Sequence, residues 1–461
     1  MGPSLLALVT LVLGLLAASP VSALAQAVDP GAPAEPAARA LDLFAQDEDV
    51  RSDALAYFER RGQPDALPAL IQARRFASQD QSALQDVMVK LAGEDPGESW
   101  FDWMRWLQAH PEIEPFDGFD ALKASLYARI DPDFVLFLHP GVAHEIRLEE
   151  VVWGGVHKDG IPALTNPRLI EASAAQYLQD DELVFGIEIN GDARAYPLRI
   201  MDWHEMFNDV IGGAPVSLAY CTLCGSGILF ETTVEGRDAP FIFGSSGFLY
   251  RSNKLMYDQA THSLWNQFTG RPVVGPLTGS GIELKTRPVV ITSWGAWRED
   301  HPDTRVLSLD TGHPRDYRPG RPYGDYFASP ELMFPALVSD ESLEPKDYVF
   351  ALRGSTSEHA WPLSRFEGGA VINDRAGVVP LVLIGDAATR SVRAYRRPEE
   401  TVFRPGVADG TLELGGEVWQ ISEEALIGPN GQALARLPGH VAYWFAWSGY
   451  LGDEGDLAAG S

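Results

Sequence analysis

Cysteine is nearly absent from this chain: there are two in 461 residues, both inside Tyr220-Cys221-Thr222-Leu223-Cys224-Gly225. Two cysteines cannot build a disulfide-dense scaffold, and they cannot supply the four ligands of a structural zinc knuckle. Positive charge is also short, since 36 Lys and Arg stand against 64 Asp and Glu, a formal net charge of −28. That balance repels phosphate backbones and anionic lipid surfaces, so no nucleic acid is expected as a partner. Past the N-terminus no apolar run is long enough to cross a bilayer, and no stable membrane insertion is expected once the leader is removed. A nucleophile elbow and a Ser-His-Asp order are missing too. Asp310-Thr311-Gly312 imitates an aspartic protease loop, but it occurs once where that chemistry needs two.

What is present begins with an apolar stretch, Leu5 to Leu16, and a small-residue cleavage pattern, Ala23-Leu24-Ala25. Residues 1–25 therefore read as a secretory signal peptide, although no Lys or Arg marks its start, and the chain is expected to be exported to a periplasmic or extracellular space. Residues 26–37, rich in Ala and Pro, read as a linker. The remaining length, roughly 435 residues, suggests two or three domains.

Residues 38–135 carry helical periodicity. Val50, Leu55, Phe58, Leu67, Leu70 and Ile71 recur mostly at three- and four-residue intervals, with Gly62 as a stop and Asp65 as an N-cap, and Trp100, Phe101, Trp103 and Trp106 follow in a further helix. The pair of helices resembles one unit of a HEAT-like repeat, a possible docking element for a protein partner. After Pro140 the texture becomes short alternating runs broken by Gly, Pro, Asn and Asp. Strands are predicted at 182–189, 214–220, 227–233, 240–243 and 378–384, the last with Pro380 at an edge or bulge, and helices at 167–177 and 199–209. The expected fold is α+β: a small helical domain, a first β-rich lobe at 140–340 holding the Cys-x-x-Cys, and a second, degenerate lobe at 341–455.

The two lobes are predicted to be duplicates. Val184 to Leu218 aligns with Val349 to Leu383 without a gap at an offset of 165, which pairs Pro197 with Pro362, Asn208 with Asn373 and Pro215 with Pro380. Residues shared by both copies are architectural candidates, and those found only in the first are candidates for chemistry. Trp203 and His204 fall on Gly368 and Gly369, and Cys221 and Cys224 fall on Asp386 and Thr389.

The cysteine segment reads as strand, Cys-x-x-Cys-Gly, strand. A thioredoxin-like site would instead open a helix whose dipole activates the first thiol. Three uses remain open for the pair: a structural or redox disulfide, a metal pair, or free thiols. His204 lies upstream on the predicted helix, and Met256 offers a thioether. Two thiolates with imidazole and thioether would suit copper(I) or zinc among the available ions. In the redox use Cys221 and Cys224 would cycle between dithiol and disulfide, with His204 exchanging the proton.

Several ordered motifs carry a family resemblance. They are Lys158-Asp159-Gly160-Ile161-Pro162-Ala163-Leu164, Trp203-His204-Glu205 with Asn208-Asp209, Tyr220-Cys221 to Gly225, Ser246-Gly247 with Leu249-Tyr250, Met256-Tyr257-Asp258 through Ser263-Leu264-Trp265, and Asp310-Thr311-Gly312 with Arg315-Asp316-Tyr317. From about residue 140 onward the chain resembles the domain of unknown function 3179, a family of exported bacterial and archaeal proteins. The resemblance brings no activity with it. Many relatives carry Pro where this chain has Thr222. The best functional expectation is a thiol-centred site that binds copper or zinc or performs thiol–disulfide chemistry, with a protein-interaction module stapled by a structural disulfide as the alternative.

Overall fold

The computed structural model describes residues 35–338, 340–354, 358–451 and 456–457. The predicted signal peptide and most of the predicted linker lie outside these described residues. The chain divides into two compact units, residues 1–158 with 274–276 and residues 159–273 with 277–461. Helices come first and a β-rich region of several sheets follows, so the class is α+β.

The first unit holds α1 (Glu35–Asp42), α2 (Glu48–Arg61), α3 (Leu67–Phe76), α4 (Gln81–Ala92), α5 (Trp100–Ala109) and α6 (Phe119–Tyr127). Asp47 caps α2 by accepting from the Asp49 N–H, and Gly62 ends it in the left-handed region that a side chain would resist. Asp65 does not cap α3. Pro64 opens a 3₁₀ turn over Pro64–Ala66, and the Asp65 carboxylate pairs with Arg61. Ser99 and Asp102 form a capping box on α5, and Trp103 and Trp106 are buried as packing residues. These are helices only, with no repeat of the HEAT kind displayed among them, and the helical structure already starts at Glu35, inside the stretch read as linker.

The second unit contains both lobes. The first has β1 (Leu183–Ile189), β2 (Asp192–Pro197), α7 (Leu198–His204), β3 (Met206–Ile211), β4 (Ala214–Cys221), β5 (Ser226–Glu231), a hairpin of β6 (Phe243–Tyr250) and β7 (Asn253–Asp258), then β8 (Thr286–Arg287), β9 (Val290–Ser293), α8 (Trp294–Asp300) and β10 (Arg305–Leu307). The second has β11 (Tyr348–Arg353), β12 (Glu358–Pro362), a 3₁₀ turn at Leu363–Phe366, β13 (Ala370–Ala376), β14 (Val379–Asp386) and β15 (Ser391–Arg396), then, after a further meander, β16 (Ala433–Leu437), β17 (His440–Tyr443) and α9 (Trp444–Leu451).

The lobes correspond in register as well as in order. Val184 faces Pro197 as Val349 faces Pro362, and Asn208 faces Ser217 as Asn373 faces Val382. A one-residue slip would turn every inward side chain outward, so the shared register preserves the apolar pattern. The likeness also runs beyond the predicted segment. Trp294 N–H donates to Glu182 O at 2.7 Å, and Trp444 N–H donates to Asp347 O at 2.8 Å. The Asn208 side chain brackets the Phe243 backbone at 2.9 Å in both directions, and Asn373 does the same to Phe403 at 2.8 Å. One apolar cluster joins the lobes through Phe185, Tyr196, Leu218, Phe350, Trp361 and Leu383. The two copies thus stabilise one another through a common core.

Four local expectations need correction. Residues 167–177 are not a helix, because Leu169–Glu171 pairs with β10 as a strand and only a 3₁₀ turn follows. The helix predicted at 199–209 stops at His204, and β3 begins at Met206. The strand predicted at 240–243 starts at Phe243 and runs on to Tyr250. Pro380 sits in an interior strand between β13 and β15, near its start, where its carbonyl still accepts from Arg397 N–H.

Candidate functional site

Cys221 is the last residue of β4 and faces Ser226, the first of β5, so the cysteine turn is the tip of a hairpin. Cys224 N–H donates to Cys221 O at 3.1 Å and Gly225 N–H to Thr222 O at 3.3 Å. Gly225 has φ of +60°, and a Cβ there would meet Tyr348 at 2.8 Å and Tyr443 at 3.2 Å. The left-handed backbone favours glycine, and the close approach of the two aromatic rings from the second lobe requires it. The sulfurs are joined as a Cys221–Cys224 disulfide. Cys221 is 2% exposed and Cys224 fully buried, which keeps large partners away from the bond in this state.

The second lobe repeats this turn without sulfur. Arg390 N–H donates to Ala387 O at 3.2 Å, matching Gly225 and Thr222, and Arg390 adopts φ of +55°. The Asp386 carboxylate accepts from Thr389 N–H at 3.1 Å, so a side-chain hydrogen bond links the positions that the disulfide links in the first lobe. The hairpin geometry is therefore reachable without a covalent bridge.

Around the first-lobe turn stands a buried polar network. Glu205 has φ of +54° and receives Lys254 Nζ on Oε2 at 2.7 Å, and the Thr222 and Tyr323 hydroxyls on Oε1 at 2.8 and 3.0 Å. Its backbone carbonyl accepts from Tyr220 N–H at 2.7 Å. Tyr220 OH donates to Asp202 at 3.1 Å, and burial pushes the Asp202 carboxyl up to about 8, so it is largely protonated at neutral pH. Lys254 and Glu205 are both buried, and such a pair survives only when each charge is fully matched. At the tip of the β6–β7 hairpin, Arg251 and Ser252 have φ of 48° and 62° with no glycine to relieve them. The Ser252 carbonyl oxygen lies 3.4 Å from Cys224 Sγ. Two of these left-handed residues reach the cysteine turn directly, Ser252 at Cys224 Sγ and Glu205 at Thr222.

His204 is buried, and both ring nitrogens are occupied elsewhere. Nδ1 lies 2.8 Å from Pro162 O, which can only accept, so Nδ1 carries the proton and Nε2 accepts from Tyr317 OH at 2.6 Å. Burial lowers its pKa to about 4, which keeps the ring neutral. Neither nitrogen can turn to a sulfur or a metal without losing a partner. Met256 is fully buried in the apolar cluster that contains Cys221 and Cys224. Among the described residues no group of three or more His, Cys, Asp and Glu is arranged to hold a metal ion.

Sequence reasoning passed over Asp202, Glu205, Thr222, Lys254 and Tyr323. The duplication held a signal for some of them: Glu205, Tyr220 and Thr222 fall on Ala370, Gly385 and Ala387, so the second copy lacks the same polar groups. The chain matches, over residues 158–454, the family described as "Protein of unknown function (DUF3179)". No curated protein and no solved structure matches it.

Proposed function

We propose that this chain, which belongs to the DUF3179 family of unknown function, is an exported protein that performs thiol–disulfide chemistry at Cys221 and Cys224. The observation that carries the reading is the pair of equivalent hairpins: Asp386 and Thr389 close the second one by a hydrogen bond, so closure alone does not call for sulfur. A bridge across so short a loop also adds little chain entropy. An exported location suits a disulfide, because oxidising compartments preserve it.

In the reaction an external dithiol supplies two electrons. Its thiolate attacks one sulfur and the Cys221–Cys224 bond breaks. The second thiol of the reductant then closes its own disulfide and releases the second cysteine as a thiol. Glu205 fixes Thr222, between the cysteines, so the turn persists while the bond opens. His204 serves as a neutral residue ordering Pro162 and Tyr317.

The test is to treat the full folded chain with dithiothreitol, alkylate it and count new thiols by mass. We expect reversible gain of two thiols under native conditions, and loss of the couple in Cys221→Ser and in Cys224→Ser. Thiols that form only after unfolding would overturn the proposal and leave a stapled interaction module, with the helical domain as its docking element. Stoichiometric copper or zinc on the reduced protein, lost with Met256→Leu, would replace redox chemistry by soft-metal binding.

A further inference from the structure

Four buried side chains of the second unit each present an atom with no hydrogen-bond partner among the described residues: Asn253 Oδ1, Gln267 Oε1, His440 Nε2 and Trp447 Nε1. Asn253 follows Ser252, whose carbonyl touches Cys224 Sγ, and its amide nitrogen donates to Ala446 O at 3.1 Å, next to Trp447. The Gln267 amide nitrogen donates to Ala219 O at 2.8 Å and to Ser226 O at 2.9 Å, and Ser226 is the register partner of Cys221. The His440 and Trp447 rings are 5.9 Å apart, and both lie against Phe268, at 5.5 and 6.0 Å.

Buried polar atoms of this kind are costly unless something bonds them. The duplication again supplies a control: Trp297 stands where Trp447 does, three residues after the first tryptophan of its helix, and its indole donates to Thr304 Oγ1 at 2.9 Å. The second-lobe indole has lost that acceptor and packs in the same buried cluster as the first-lobe cysteines. The unpartnered set is uncharged, because burial holds His440 neutral, with a pKa near 3. Two carbonyl acceptors, an indole donor and an imidazole suit a small neutral molecule that both donates and accepts.

We propose that a small hydroperoxide, hydrogen peroxide being the simplest, binds among Asn253, Gln267, His440 and Trp447 and oxidises the reduced cysteines. The proposal rests on the thiol–disulfide reading above and names the oxidant class that the buried sulfurs admit. One thiolate attacks a peroxide oxygen, the O–O bond breaks and, after proton transfer, a sulfenic acid and water result. The other cysteine attacks the sulfenic sulfur, the S–O bond breaks, and a second water leaves as the disulfide closes. Two thiols and one peroxide give one disulfide and two waters.

The experiment starts from the full chain reduced with dithiothreitol and desalted without oxygen, with oxidation followed by alkylation and mass. Hydrogen peroxide should outpace oxidised glutathione by at least about tenfold at equal concentration, since the bulky, charged disulfide cannot reach the sulfurs. Gln267→Leu and Trp447→Phe should each slow the peroxide reaction about fivefold or more while leaving dithiothreitol reduction within about twofold. If Gln267→Leu fails to fold, Trp447→Phe, which removes one N–H and keeps an aromatic ring, decides the matter. Equal rates for peroxide and oxidised glutathione, or a peroxide rate unchanged in the folded variants, would overturn this inference and leave these atoms to water alone. No native reduction by dithiothreitol would instead overturn the reading beneath it.

Discussion

The two lobes of the second unit have the same strands in the same register, yet they place buried charge differently: the first ties Lys254 to Glu205, which holds Thr222 inside its hairpin turn, whereas the second gathers Arg393 and Arg436 on Glu423 outside the turn itself. The second lobe keeps the asparagine bracket, the paired tryptophans and the left-handed residue of the hairpin. It has Gly, Ala and Asp where the first has His204, Glu205 and Cys221. Its turn is closed by a hydrogen bond and its Glu367 is exposed, whereas Asp202, the first-lobe counterpart, is buried. The difference teaches that the scaffold stands without these groups. A buried ion pair, a protonated carboxyl and strained residues all cost stability, and their concentration around one turn supports the proposed reading of that turn as a site.

The largest effect should come from breaking the ion pair that the second lobe's turn lacks. Lys254→Met leaves Glu205 buried without its cation, and should destabilise the chain by about 3–5 kcal/mol in denaturant melts. Adding Glu205→Gln should recover part of the loss, because the remaining group is neutral and still accepts from Thr222 and Tyr323. A loss below about 1 kcal/mol for the single change would mean that the pair is solvated and that the lobes differ less than their geometry indicates.

How legible was this from sequence? The scaffold was readable because duplication fixes it locally: Pro197 and Pro362, or Asn208 and Asn373, recur at constant spacing and take equivalent places. The Cys-x-x-Cys hairpin was readable because its strands and glycine are contiguous. The network was not, since Lys254 reaches Glu205 across 49 residues and Tyr323 across 118. His204 was drawn toward the sulfurs for the same reason: its real partners, Pro162 and Tyr317, are 42 and 113 residues away. Residues 167–177 looked helical because their strand partner, β10, lies far along the chain. Periodicity reports neighbours in sequence, and tertiary pairing overrode it there.

A smaller effect should appear as the pH dependence that Asp202 adds in the first lobe. Burial raises the Asp202 carboxyl to about 8, and the Tyr220 hydroxyl acts in the opposite direction. Between the unfolded value near 3.9 and the folded one, the native state holds a proton that the unfolded chain has released. The Asp202 contribution to stability should therefore fall as pH rises from about 4 towards 8 and level off beyond it, against the opposite contribution of His204 and His440, whose lowered folded-state values favour the native state as pH rises towards about 6.5. Asp202→Asn should remove this contribution, so that melts of parent and variant diverge across that window. Glu367→Gln, at the equivalent exposed position, should leave it intact. A slope unchanged by Asp202→Asn would show that the carboxyl is not the group responsible.

The smallest stability change should come from grafting the second lobe's turn onto the first, as Cys221→Asp with Cys224→Thr. The donor hairpin shows that an aspartate three residues ahead of a threonine closes this turn through Oδ1, with the following residue left-handed, and Gly225 already meets that last need. The disulfide spans too few residues to contribute much loop entropy, so the graft should cost about 2 kcal/mol or less. Packing sets the remaining cost, because the new carboxylate enters a fully buried cluster beside Met256 and must be satisfied by the N–H and hydroxyl of the grafted threonine. We expect a melting temperature within a few degrees of the parent, together with complete loss of reversible thiol chemistry. A graft that unfolds the protein, while Cys221→Ser with Cys224→Ser does not, would trace the cost to the buried carboxylate. A graft and a double serine variant that both lose several kcal/mol would make the disulfide a staple, and the two lobes would then differ in how they hold their hairpins rather than in what those hairpins do.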